Sequence, residues 1–200
     1  MSPRSRTFPA LTFDSLEWDD FPNERRLAVI VAAEAALLPG LGDVREALRK
    51  LPVVQHPDHY LHVTLRELGA AGTVDDASLD AITDMIAATP AWEAKVRGVR
   101  AFPTAIWLDP DSDGRMLAIM DKLMAEIGNL PAHPYRPRAV GHLTVAYSQG
   151  ELAAEDVGEV LTPLADFEIG RIEMREAILA ELHFTEAYPH WTVVRRFPFG

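Results

Sequence analysis

The sequence predicts an α+β fold with antiparallel sheets, built as two similar halves, and three observations carry that prediction. Short β-branched or alternating runs are interleaved with segments of helical apolar period throughout the chain, which mixes strands and helices instead of segregating them. The order strand, helix, His-bearing strand, helix, strands is followed by helix, second His-bearing strand, helix, strands. Two hundred residues, 48% of them hydrophobic, are enough to bury one good core. The expected architecture is bilobal: two pseudo-symmetric lobes, each an antiparallel sheet flanked by helices, with a groove between them.

Taken in order, residues 1–24 carry Pro, Ser and acidic residues without a clean period and read as an irregular N-terminal extension to a single domain over 25–200. Residues 27–31 form a β-branched run that suits a buried strand, and 43–51 supply helix formers behind an N-cap candidate, Asp43. Residues 60–68 read as a strand that ends at Gly69 and Gly72. A helix over 75–89 follows, with Leu79, Ile82, Met85 and Ile86 on one face and Pro90 as its stop. Strands over 92–102 and 104–108 lead through a turn at 109–114 into a helix over 115–127. A polar, Pro-rich link at 128–138 precedes a strand over 140–147. A helix over 151–164 comes next, and 167–184 with 191–197 read as a closing hairpin.

Composition excludes several functional classes. A net charge of −11 repels polyanions, so broad sequence-independent binding to nucleic acid is not expected, whereas a small phosphorylated substrate held by a local site is compatible. With zero Cys there is no disulfide, thiolate catalysis or cysteine-ligated metal. The longest apolar stretch, 27–38, is interrupted by Glu34 and is too short to span a bilayer. The first twenty residues lack the apolar core of a secretory signal, so a cytoplasmic monomer with no membrane partner is the expectation. No Gly-rich phosphate loop or dinucleotide fingerprint occurs, and no cofactor is implied.

The informative residues are His62-Val63-Thr64-Leu65 and His142-Leu143-Thr144-Val145. Side chains alternate along a strand, so His and Thr two apart share one face while the apolar residues pack into the other. Phosphodiester cleavage needs a base for the nucleophile's proton and an acid for the leaving oxygen. Two histidines titrating near neutrality serve both needs, and hydroxyls can hold the non-bridging oxygens where charge builds. Seven His and eleven Thr would give roughly 0.4 His-x-Thr triplets by composition, and the chain has four, the others starting at His183 and His190. The triplet alone is therefore a weak signal. Context lifts the first pair, since both lie in apolar-flanked strands at corresponding places eighty residues apart.

On these residues the chain resembles the 2H phosphoesterases, and among them the bacterial 2′-5′ RNA ligase or RNA 2′,3′-cyclic phosphodiesterase branch. The likeness covers most of the sequence after Arg25 and rests on the paired His-x-Thr-x motifs. Residues 102–108 resemble the strand that follows in that family, and 188–199 resemble its closing strand. The resemblance implies a bilobal fold, RNA-processing phosphodiester chemistry without a cofactor, and catalytic roles for His62, Thr64, His142 and Thr144. It also assigns His183 and His190 to closing strands. Two departures stand out: Glu67 replaces a usual aromatic, and Gly141 and Tyr147 stand where a Pro and an Arg are common.

Tyr60 and Arg66 share the face of His62 if the period of two holds, and with Tyr147 they are substrate-binding candidates. Arg136 and Arg138 could bring positive charge near the phosphate, although a solvated loop describes them better, and Trp107 reads as core more than groove. Two rivals belong to other classes. His56, Asp58 and His59 contain ligand types for a divalent ion and suggest a metallohydrolase, against which Pro57 breaks the helix that would align them. The other is a non-catalytic module that binds a nucleotide or an RNA end in the same groove.

Overall fold

The computed structural model describes residues 8–11, 26–110, 114–127, 141–184 and 188–200. Ten strands and four helices occur among them. In chain order they are β1 (Arg26–Ala32), α1 (Leu41–Leu48), β2 (Val53–Gln55), β3 (His62–Ala70), α2 (Asp76–Ala87), β4 (Trp92–Arg97), β5 (Val99–Ala101), β6 (Ala105–Leu108), α3 (Arg115–Glu126), β7 (Leu143–Ser148), α4 (Ala154–Leu161), β8 (Glu168–Met174), β9 (Glu176–Phe184) and β10 (Pro189–Pro198).

Eight strands form one antiparallel sheet in the order β10-β9-β1-β3-β7-β6-β5, with β2 paired to β7, while β4 and β8 form a separate two-stranded sheet. The sheets expected for two halves are thus joined by hydrogen bonds. The join is narrow, because β3 meets β7 through one registered pair, Val63 opposite Leu143. The order motif strand, helix, short-sheet strand occurs twice, as β3-α2-β4 and β7-α4-β8. Corresponding strands pair with each other, β3 with β7 and β4 with β8.

β1 owes its central position to five consecutive buried residues, Leu27 to Val31, which only a strand covered on both faces can use. Its Val29 and Val31 join Val63, Leu65 and Leu68 of β3, Ile82 and Ile86 of α2, and Met116, Ile119, Met120 and Leu123 of α3 in the main core. α2 is held at its start by Asp75, whose side chain accepts the Ser78 N–H at 2.8 Å.

Three sequence expectations change here. The strand expected over 92–102 divides at Gly98, where φ is +82°, and an added Cβ would lie 2.4 Å from the Ala165 carbonyl oxygen. β4 therefore leaves for the small sheet while β5 stays in the large one. The run 167–184 likewise divides, at Arg175, into β8 beside β4 and β9 beside β1 and β10, so only β9 and β10 form the closing hairpin. The N-terminal segment is not wholly outside the body: Phe8 and Leu11 are buried in the main core, and Leu11 forms a two-bond bridge with Leu152. The link at 128–138 and residues 111–113 of the expected turn lie outside the described residues.

Candidate active site

Each motif has an apolar residue at its centre, and these two residues, Val63 and Leu143, are fully buried and face each other across β3 and β7. One step either way along this antiparallel pair sets His62 across from Thr144 and Thr64 across from His142. All four lie on the face opposite the core. The two histidines are then diagonal neighbours, which on an antiparallel pair means roughly 7–8 Å between backbone positions. Both imidazoles thus start from neighbouring positions on one face of the strand pair.

The strands do more than alternate, for each motif is followed at once by a bulge. Ile30 pairs with Thr64 but Val29 pairs with Arg66, which leaves Leu65 as the extra residue in β3. Trp107 pairs with Thr144 but Ile106 pairs with Ala146, which leaves Val145 as the extra residue in β7. A bulge reverses the face of everything beyond it. Arg66, expected beside His62, is therefore turned into the helix side, where it is 7% exposed and its Nη1–H donates to the Met124 sulfur on α3. Glu67, opposite Ala28, takes its place on the motif face. The same inversion in β7 puts Tyr147, opposite Ala105, on the face of Thr144 and Trp107, where strict alternation from His142 would exclude it.

His62 is held in one tautomer. Its Nδ1 lies 2.8 Å from the Tyr60 carbonyl oxygen, and a carbonyl only accepts, so the Nδ1–H is the donor and the Nε2 lone pair is free for chemistry. Trp191 of β10 donates its Nε1–H to the same carbonyl at 3.1 Å. Desolvation, opposed by the Tyr60 bond and reinforced by the neighbouring His56 and His142, lowers the His62 pKa from 6.5 to about 4. At neutral pH it is an uncharged imidazole, able to take a proton. His142 stands in an aromatic corner: Phe102 meets it edge-on at 5.5 Å and Trp107 at 6.1 Å, and Phe102 and Trp107 stack at 5.2 Å. Trp107 is thus both buried and part of the site.

Residues 33–181 match the family model of the 2′-5′ RNA ligase superfamily. The chain belongs to that superfamily, a group of 2H phosphoesterases. A curated relative, the RNA 2′,3′-cyclic phosphodiesterase of Methanothermobacter thermautotrophicus, is 25% identical over 146 residues, which cover 68% of this chain and 77% of the relative. Among solved structures, E. coli LigT complexed with 3′-AMP superposes with a TM-score of 0.68 at 15% identity, covering 88% of this chain and 99% of LigT. The protein TT0787 of Thermus thermophilus gives 0.62 at 17% identity, with coverages of 87% and 97%.

Other candidates in this superfamily member fall into place around the motif pair. Tyr60 lies in a 3-10 turn, Asp58–Tyr60, ahead of the strand, so the period of two does not reach it; its carbonyl orients His62 while its ring packs 5.4 Å from His190. His190 and His183 are a cross-strand pair, stacked at 5.1 Å, with the His183 Nε2 3.1 Å from the Thr192 hydroxyl, as their closing-strand assignment requires. The metal-ligand trio does not converge. His56 is fully buried with its nitrogens turned to the carbonyls of Pro189 and Thr144, Asp58 pairs with Arg45 at 2.5 Å, and His59 is exposed, its ring against Tyr60. Among the described residues no three potential ligands cluster, and no helix is long and apolar enough to cross a membrane. Arg136 and Arg138 lie outside the described residues. Sequence reasoning missed the places of Trp191, Phe102 and His56 beside the motif pair, because each comes there through contacts between segments distant in the chain.

Proposed function

We propose that the chain is a metal-independent phosphodiesterase that opens 2′,3′-cyclic phosphates or cleaves 2′-5′ linkages in small nucleotides or RNA ends, with His62 as general base and His142 as general acid. The phosphoesterase class follows from family membership, and the name of the curated relative supports the cyclic substrate. The observation that carries the assignment of roles is the hydrogen bond from His62 Nδ1 to the Tyr60 carbonyl, which leaves Nε2 as a fixed acceptor in an imidazole that stays neutral.

In hydrolysis of a cyclic phosphate, water hydrogen-bonded to His62 Nε2 attacks phosphorus and gives its proton to that nitrogen. The P–O bond to one ribose oxygen breaks, and that oxygen takes a proton from His142. The Thr64 and Thr144 hydroxyls donate to the non-bridging oxygens as charge gathers on them. The product is a monophosphate ester, and the enzyme has moved one proton from His142 to His62, which solvent restores.

Turnover of a 2′,3′-cyclic nucleotide in EDTA tests the proposal. Activity is expected to persist, and His62→Ala and His142→Ala are each expected to lose about 10²–10⁴-fold in kcat, the usual scale for a general acid or base. Nucleotide binding with no turnover in the unaltered protein would make it a binding module. Activity abolished by EDTA and restored by a divalent ion would reverse the metal-independent reading.

A further inference from the structure

Behind the two motifs lies a buried imidazole that this chemistry does not use. His56 has no exposed surface, and its backbone is tied on both sides: its N–H donates to the Val145 carbonyl at 2.8 Å, and its carbonyl accepts from Arg45 Nη2 at 2.8 Å. Its ring faces two further carbonyls, Pro189 at 2.8 Å from Nε2 and Thr144 at 3.4 Å from Nδ1. Both oxygens only accept, and a neutral imidazole has a single N–H. The shorter contact places that proton on Nε2. Burial lowers the His56 pKa, so the neutral form suits the site.

An apolar residue would fill this space but would remove the donor that His56 brings to the Pro189 carbonyl. More telling is what the partners do. Val145 is the bulged residue of β7, and the bulge brings Tyr147 back onto the face of Thr144. Pro189 opens β10, whose Trp191 donates to the Tyr60 carbonyl that also takes the His62 proton. The His56 ring itself lies 6.0 Å from His62, 5.8 Å from Tyr147 and 5.6 Å from Tyr188. One side chain therefore touches the supports of both motifs and meets the His62 ring edge-on from behind. Accepting the phosphodiesterase reading above, we infer that His56 is a positioning residue, which locks the β7 bulge and the start of β10 together and through them fixes the tautomer of His62.

The groups that face it bear on any readout against pH: Arg45 from α1, itself paired with Asp58, His59 from the turn before β3, His62 from β3, Tyr147 from β7 and Tyr188 before β10. For that reason the test follows tautomers at fixed neutral pH. Long-range 1H–15N spectra of the imidazoles are expected to show His62 as the Nδ1–H form and His56 as the Nε2–H form. In His56→Phe, the single His62 tautomer should give way to an averaged pattern. Its kcat on a 2′,3′-cyclic nucleotide should fall about 10–100-fold with KM within about threefold, since small displacements at reacting groups cost on that scale. His56→Gln, whose amide nitrogen can stand near the place of Nε2, should restore both, while His56→Asn, too short to reach Pro189, should not.

If His56→Phe fails to fold, the Gln and Asn pair decides the matter alone. An unchanged His62 tautomer and unchanged kcat, with only a lower Tm, would reduce His56 to packing and overturn the inference. If the unaltered protein cleaves no phosphodiester, the functional reading falls instead, and the tautomer comparison still decides the role of His56.

Discussion

The motif His, apolar, Thr, apolar opens β3 and runs from His142 into β7, and both strands widen at its fourth residue, with different groups around the two histidines. His62 is pinned by a carbonyl that also binds Trp191, and has two other histidines near enough to oppose its protonation. His142 is bordered by the rings of Phe102 and Trp107. One backbone motif thus stands against a carbonyl and a Trp on one strand and against two aromatic rings on the other, and the base and acid roles proposed above would draw on surroundings of this kind. Beyond the bulge the strands differ again, because the motif face continues with Glu67 in β3 and Tyr147 in β7.

The largest effect should come from a substrate whose leaving group needs no proton. On a 4-nitrophenyl phosphodiester, His142→Ala is expected to lose less than about tenfold while His62→Ala keeps its full loss of about 10²–10⁴-fold; on a 2′,3′-cyclic nucleotide both lose alike. The opposite pattern would exchange the two roles. Thr64→Val and Thr144→Val come next, each expected to lower kcat/KM by about 10–100-fold, the scale of one hydrogen bond to a charged oxygen. A loss at one threonine only would mean that the phosphate sits against one strand.

Smaller effects test the bulges. Tyr147→Ala should raise KM about three- to tenfold if the ring borders the substrate. Arg66→Met, on the helix side, should leave KM within about twofold, and a large rise would restore Arg66 to the groove. Smallest is a stability effect. The folded pKa of His62, about 4, lies below its unfolded value of 6.5, so the unfolded chain binds more protons between those values. Its contribution is complete above pH 6.5 and is lost as pH falls toward 4. Calorimetry should find Tm rising across that window, more shallowly in His62→Gln.

The motif pair was legible because its chemistry and its period agree: imidazole and hydroxyl two apart, with apolar residues between them that must be buried. That logic fails one residue later. Leu65 and Val145 are apolar and fit a regular strand as well as a bulge, so nothing local says that the face inverts at Arg66 and Tyr147. The break at Gly98 had a local sign, a glycine inside a strand, whose meaning depends on the nearness of the Ala165 carbonyl. Trp191 and His56 had none, since the contacts that matter join residues about 130 positions apart. Phe8 and Leu11 lay among polar and acidic residues, and their burial follows from the Leu152 bridge that no periodicity announces.

The central claim is that His62 and His142 flank one phosphate. Titrating the protein with inorganic phosphate while following the imidazole signals of all seven histidines tests it most directly. The His62 and His142 signals are expected to move together along a single saturation curve while those of His183 and His190 stay in place. Movement of only one of the pair, or two curves with different midpoints, would contradict it.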